Sequence, residues 1–385
     1  MNERLVLCGG ARREATGPAL RLALGGAEQN IKLRLEDISR AMVRPIPDRI
    51  ADLTEIAAYV YCADQGTSRG GPADVGMGAR WRRRFRFVIP VRDPDHWSGR
   101  AVVELLHSTL SFLSDDEYEF EFEQASSPPP FQDYLAFGED DPAAFGTDRV
   151  VLFSGGLDSL SGAIEELSAK RTRIALVSHR SSPKVHDHQK RLVRALKHRF
   201  PKRILHVPIL LTRQRGLPVR EFTQRTRSFL YSALGCAVGH LLGNNSVRFY
   251  ENGVVSINLP ISEQVVGARA TRTTHPLVLD LFRRFFSAAL GASIFLDNPF
   301  IWRTKSEVVR AIVVSGCGDL IRETVSCTRV HEATKLHTHC GCCSQCLDRR
   351  FGVLAAAAGE HDPVEMYRIE LLTGDRDKPL DRVMA

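Results

Sequence analysis

The sequence contains no run approaching the ~18 consecutive apolar residues that a membrane span requires. Its N-terminus, MNERLVLCGGARREATG, carries no apolar core of signal-peptide length. Together these absences lead to the expectation of a soluble, cytoplasmic protein with no membrane partner. Cysteine is scarce as well: nine in 385 residues are too few for a disulfide scaffold, and four of them crowd into HCGCCSQC near the C-terminus, the pattern of metal ligation in a reducing compartment. There is no internal repeat and no G-K-[ST], which excludes a Walker A loop and argues against γ-phosphoryl transfer. What is present, 43% hydrophobic and 25% charged residues, excludes intrinsic disorder and suffices for one large domain or two.

The net charge of +7 is unevenly spread. Residues 1–124 carry 17 basic and 19 acidic side chains, whereas residues 125–385 carry 35 and 26. The basic excess therefore lies in the C-terminal part, where it would draw a polyanion, either ATP or a nucleic acid. Between the parts runs QASSPPPFQDYLAFGEDDPAAF, whose prolines and acidic tail resist helix and central strand. The expected division is thus an N-terminal α+β accessory domain over 1–124, a linker over 125–146 and a second domain over 147–385.

In the second domain short apolar strands alternate with longer helical stretches. Strands are expected at 150–153, 174–178, 204–211, 247–250 and 293–296, with helices at about 157–170, 186–200, 226–242, 277–289 and 306–315. Such alternation predicts an α/β fold, a parallel sheet with helices on both faces, and ligands bound at the carboxyl ends of its strands. The N-terminal domain is expected to hold a helix at 50–61, a strand at 80–91, a helix at 101–113 and a following YEFEFE strand.

Directly after the first strand of the second domain stands Ser154-Gly155-Gly156-Leu157-Asp158-Ser159. Adjacent glycines allow positive φ, so successive amides can curl into an anion nest while the next helix turns its positive end to the same point. Ser154 and Ser159 add hydroxyl donors, and Asp158 can hold a Mg²⁺. A plain Gly-Gly turn capped by Asp is the competing reading. Near the C-terminus, Cys327, Cys340, Cys343 and Cys346 form C-x12-C-x2-C-x2-C, a spacing able to close a tetrahedral Zn²⁺ site. Cys342 is left out of that set, and His331, His337 and His339 stand as substitutes for Cys327. Three cysteines at x2 steps would also suit an iron–sulfur cluster. An all-cysteine set leaves no open position, so the metal is expected to be structural.

SGGLDS in this setting resembles the pyrophosphate loop of the PP-loop ATP pyrophosphatase superfamily. The resemblance implies an adenine nucleotide alpha hydrolase-like (HUP) fold with a C-terminal zinc-binding lobe, and cleavage of ATP between its α and β phosphates. ETVSC…CGCCSQCLDRR, Asn298-Pro299-Phe300 with Thr304-Lys305-Ser306-Glu307, and the arginine-led helix from Arg225 to Ala233 are similar to segments of the 7-cyano-7-deazaguanine synthase (QueC) family. That family implies adenylylation of the carboxylate of 7-carboxy-7-deazaguanine and its capture by ammonia. SHRSSPKVHDHQKR replaces the YGQRH-like segment, and the Gly-Tyr-Pro-Asp pocket stretch is missing; in its region lie Glu251 and Asn252. With the added N-terminal domain, this is closer to the QueC-like (QatC-like) proteins of antiphage defence, which implies partners encoded in a defence operon.

The resemblance implies site roles. Ser154, Gly155, Gly156, Leu157, Asp158, Ser159, His179 and Arg349 would contact ATP, while Asp158, Lys305 and Arg227 would serve catalysis. Glu251, Asn252, Arg272 and His275 would contact the substrate. For each lone Arg or Lys a solvated helix position is the alternative, and for His179 a satisfied strand-end histidine. Three functions follow: a small-molecule ligase, a ligase attaching an activated deazaguanine to a protein or nucleic acid, and a non-catalytic nucleotide-binding subunit. Arg80, Arg82, Arg84 and Arg86 alternate with Trp81, Arg83, Phe85 and Phe87. Such a strand is either a nucleic-acid surface or an ordinary half-buried one.

Overall fold

The computed structural model of the chain describes residues 3–13, 15, 17–38, 45–69, 81–126, 145–169, 171–214, 216–221, 223–257 and 271–375. Arg80 and residues 127–144 of the expected linker lie outside them. In chain order the main elements are β1 (Glu3–Cys8), β2 (Ala19–Leu22), β3 (Ile31–Leu33), α1 (Asp48–Gly66), β4 (Arg84–Val91), α2 (Arg100–Ser114), β5 (Glu117–Gln124), β6 (Arg149–Leu152), α3 (Leu157–Ser168), β7 (Ile174–Arg180), α4 (Pro183–Arg199), β8 (Ile204–Arg213), α5 (Arg227–Leu241), β9 (Ser246–Arg248), α6 (Pro276–Leu290), β10 (Phe295–Asp297), α7 (Lys305–Val314) and α8 (Ser344–Ala355). The chain forms two compact units. One comprises 1–146, 209–247 and 255–297; the other comprises 147–208, 248–254 and 298–385. The first unit thus contains two segments that were expected in the 147–385 domain.

In the first unit the strand order is β2-β1-β4-β5, and every neighbour is parallel, with Leu5 opposite Ala19 and Arg86, and Phe87 opposite Phe120. This corrects the expected α+β character of the N-terminal part. Parallel neighbours need a crossover rather than a tight turn, and α2 supplies it between β4 and β5. Phe85 and Phe87 are buried, while Arg84 and Arg86 on the opposite face pair with Glu119 and Glu121. The alternating strand is therefore a half-buried sheet strand whose outer cations are ion-paired. Helix α1 is buried over most of its surface, and Phe229 of α5 packs its ring 5.6 to 6.1 Å from those of Phe282, Phe285 and Phe286 in α6.

A buried ionic knot anchors this unit. Arg83 donates to Asp116 at 2.7 Å and to Asp64, Arg69 donates to Asp116 at 3.0 Å, and Asp64 accepts from Thr226 at 3.0 Å. Burial would raise the Asp64 carboxyl, but Arg83 and Arg69 outweigh it and hold the group below its usual value.

The second unit contains β6 and β7, parallel with Val150 opposite Ala175, and the first half of β8 next to β7 in the order β6-β7-β8. Helices flank these strands. Their apolar faces meet in one core that includes Val151, Phe153, Leu160, Leu192, Val308 and Val353. Gly162 of α3 lets the Tyr250 ring lie directly on the helix, since a Cβ there would stand 2.0 Å from it. The chain is accordingly α/β, with a parallel-rich sheet flanked by helices. Among the described residues no helix is long and apolar enough to cross a membrane.

Because the folded Asp64 carboxyl titrates below its unfolded value, its stabilising charge is fully present above about pH 4 and is lost as pH falls through the lowered value. Thermal unfolding followed from pH 7 downward should show an additional loss of stability below about pH 4 from this group, beneath the earlier loss from histidines buried neutral, such as His206. Asp64→Asn should flatten that acid limb; an acid limb identical to wild type would contradict the assignment.

Candidate functional site

Strand β6 is followed by the fully buried Phe153, and the chain then turns through Ser154, Gly155 and Gly156 into α3. Gly155 has φ +87°, a left-handed conformation that glycine adopts without strain, and a Cβ there would lie 3.3 Å from Gln189. The Gly155 amide donates to Ser159 Oγ at 3.2 Å, and the Gly156 amide donates to Ser154 Oγ at 3.3 Å. These are long bonds within the loop. Gly156 is the N-cap of α3 and supplies no side-chain cap, so the positive end of a twelve-residue helix is left facing the turn. Gln189 of α4 holds the turn from behind, donating to the carbonyls of Ser154 at 3.2 Å and His179 at 3.4 Å.

Asp158, in the first turn of α3, faces Lys305. The lysine ammonium lies 2.9 and 2.8 Å from the two Asp158 oxygens and 2.9 Å from Asp348. Lys305 is the first residue of α7, and a capping box fixes it there: Glu307 accepts from the Thr304 amide at 2.7 Å while its own amide donates to Thr304 Oγ1 at 3.4 Å. Its stem runs over Gly352 of α8, where a Cβ would come within 2.2 Å of Lys305 Cγ. Burial disfavours the ammonium, but Asp158 and Asp348 outweigh it and raise the pKa above the usual lysine value. The fully buried Asn252 donates its side-chain amide to Asp158 at 3.1 Å. Asn298 fixes that segment in turn, donating to the Glu251 carbonyl at 2.8 Å and accepting from its amide at 3.1 Å.

The structure therefore brings Ser154 to Ser159, Lys305 and Asn252 together, and adds Asp348, Gln189, Asn298 and Gly352, none of which was expected. Asp348 was legible only as part of CLDRR, where the arginine drew attention. Asn252 was expected to touch substrate; its amide instead positions Asp158. Arg349 was expected to contact ATP. It is fully buried, donating to Asp362 at 2.9 Å, to Thr324 Oγ1 at 2.5 Å and to the Ile321 carbonyl at 2.9 Å. His179 is the penultimate residue of β7 and is buried. Arg227, Arg272 and His275 belong to the first unit. There Arg227 lies over the Tyr231 ring, Arg272 donates to the Phe112 carbonyl at 2.6 Å, and His275 Nδ1 accepts from the Leu277 amide to cap α6.

Cys327, Cys340, Cys343 and Cys346 converge in the second unit, all four buried with their sulfurs within 4.8 Å of one another. The sulfurs are 3.4 Å apart for Cys343–Cys346, 3.9 Å for Cys340–Cys346 and 4.0 Å for Cys327–Cys343. A tetrahedron with metal–sulfur bonds of about 2.3 Å has edges of about 3.8 Å, so the set fits a metal ion of zinc's size. Cys342 stands outside the set, its sulfur accepting from Arg329 at 3.3 Å. His339 is also outside: Thr338 and the Ser326 amide engage its ring, and burial lowers its pKa to about 3. The side chain of His331 lies outside the described residues. Gly341, at φ +80°, passes against the Ile369 carbonyl where a Cβ would stand 1.8 Å away.

The cysteine lobe and the loop are joined. Val325, two residues before Cys327, donates its amide to the Gly155 carbonyl at 3.1 Å. The Arg349 bonds to Ile321 and Thr324 brace the same stretch from the other side. Purified protein should carry one metal ion per chain by elemental analysis, and Cys343→Ser should lose it together with thermal stability. Wild-type protein free of metal after gentle purification would contradict this.

Neither a protein-family model nor a curated protein matches the sequence.

Proposed function

We propose that the chain is an AMP-forming, ATP-dependent carbon–nitrogen ligase of the 7-cyano-7-deazaguanine synthase type. It adenylylates a carboxylate, that of 7-carboxy-7-deazaguanine, for attack by a nitrogen nucleophile, and acts in antiphage defence. One observation carries the enzymatic part: a strand-to-helix turn with a left-handed glycine and an uncapped helix end, set beside a buried lysine held by two carboxylates. The deazaguanine substrate, the HUP fold and the defence setting rest on the motif resemblance.

In this reading the phosphates of ATP lie against the amides from Gly155 to Ser159, with the Ser154 and Ser159 hydroxyls adding donors. The substrate carboxylate attacks the α-phosphorus, the bond to the bridging oxygen breaks, and pyrophosphate leaves; a nitrogen nucleophile then displaces AMP. Lys305 stabilises the charge that builds on the phosphate oxygens. Asp158 and Asp348 are the carboxylates that would hold Mg²⁺, which neutralises phosphate oxygens when bound. The missing Walker lysine fits cleavage at the α-phosphate rather than transfer of the γ-phosphate. The cysteine centre would hold structural zinc, since four thiolates leave no coordination position open.

Incubation with ATP, ammonia and 7-carboxy-7-deazaguanine should give AMP and a nitrogen-bearing product by mass spectrometry; absence of AMP with this acid would remove it as the substrate. Asp158→Ala should lower pyrophosphate release by about 10²–10³-fold; its melting temperature should fall as well, because Lys305 loses one of its two carboxylates, while the circular dichroism spectrum shows the protein still folded. Retained turnover would take the loop out of the mechanism. Gly352→Ala should displace the Lys305 stem and lower turnover by up to about 100-fold, although Gly352 touches no substrate; full activity would show that the stem has room to move.

A further inference from the structure

Strand β5 is the last in the order β2-β1-β4-β5, and among the described residues no strand pairs with its outer side. Its inner bonds fall on odd residues: Glu117 donates to the Arg83 carbonyl and Ala125 to the Val91 carbonyl, both at 2.9 Å. Backbone groups of a strand alternate sides, so those of Tyr118, Phe120 and Phe122 point outward. Tyr118 bears this out, since its carbonyl accepts from His107 Nδ1 of α2 at 2.7 Å. Along this edge runs a groove of about 550 Å³, lined by Val103, Glu104 and His107 of α2, by Tyr118 and Phe120, and by Glu119 and Glu121. Its lining surface is chiefly apolar, with Val103, Tyr118 and Phe120 the apolar residues. On the other face the side chains of Glu119 and Glu121 stay 46% and 43% exposed, although Glu119 pairs with Arg84 and Glu121 with both Arg13 and Arg86.

We propose that the outer edge of β5 accepts an extended segment of a partner protein that alternates basic and apolar residues. The inner neighbour shows the complementary pattern. Strand β4 sets Arg84 and Arg86 opposite Glu117 and Glu119, and Phe85 and Phe87 opposite Tyr118 and Phe120. A strand added outside would repeat this arrangement, its cations meeting the half-exposed glutamate side chains in competition with Arg13, Arg84 and Arg86, and its apolar side chains filling the groove. A second copy of β5 is excluded as occupant, because glutamate would face glutamate across the new pair.

The test uses the full-length protein and a fluorescein-labelled octapeptide of four Arg-Val repeats. Anisotropy should show saturable binding, and alternate N-methylation of the peptide backbone should weaken it by at least about tenfold, since two or more main-chain bonds are lost. Exchanging Arg for Glu in the peptide should abolish binding. In hydrogen exchange, the bound peptide should slow the Phe120 and Phe122 amides while leaving the other strands unchanged. The double variant Glu119→Lys, Glu121→Lys should weaken binding at an unaltered circular dichroism spectrum. Equal binding of the N-methylated peptide would reduce the effect to charge attraction, and unchanged exchange at Phe120 and Phe122, or no binding, would overturn the proposal.

Discussion

A lysine ammonium buried between two carboxylates is the constraint on which the candidate site depends. Lys305 is 8% exposed, and such a charge persists only because Asp158 and Asp348 compensate the lost water. Each partner sits on a different element: Asp158 on α3, Lys305 on α7 and Asp348 on α8. The ion triad therefore ties three helices together at the mouth of the glycine turn. Removing one partner would leave the others buried and uncompensated, so the triad fixes geometry as well as charge. A polyphosphate with its metal ion would offer the same groups new partners of opposite sign, which is what a nucleotide site needs.

The cysteine lobe contributes from the other side. Three of its four sulfurs come from the stretch 340–346 and the fourth from Cys327, so a bound metal would pin the segment that carries Cys327 to that stretch. Two residues upstream, the Val325 amide holds the Gly155 carbonyl, and Arg349 with Asp362 braces the turn before it. Occupancy of the cysteine set by a metal would thereby be coupled to the conformation of the glycine turn through a few backbone bonds. This gives the arginine of CLDRR a positioning role within the lobe rather than contact with phosphate.

Much of this was legible in the sequence because it is local. The alternation of short apolar runs and amphipathic stretches located α3, α4, α7 and the strands of the second unit to within a few residues, and the spacing of the cysteines singled out the four that converge. What escaped were partners set by tertiary packing. Asp348 meets Lys305 across more than forty residues, and nothing in its neighbourhood announces it. Gly352 matters only because another helix crosses it. The parallel pairing of β4 and β5 was hidden because alternating Arg and Phe suits either sheet type, and the pairing partner decides. β1, β2 and β3 were missed because three to six residues give too short a pattern to separate from loop.

The central claim is that the turn between β6 and α3 holds the phosphates of a nucleotide beside Lys305. A crystal structure of the protein with Mg²⁺ and an ATP analogue resistant to cleavage between its α and β phosphates tests it most directly. The account predicts phosphate oxygens on the amides of Gly155 to Ser159 and within hydrogen-bond reach of the Lys305 ammonium. Density for the triphosphate at any other place, with the turn and the Asp158–Lys305 pair unchanged, would contradict it.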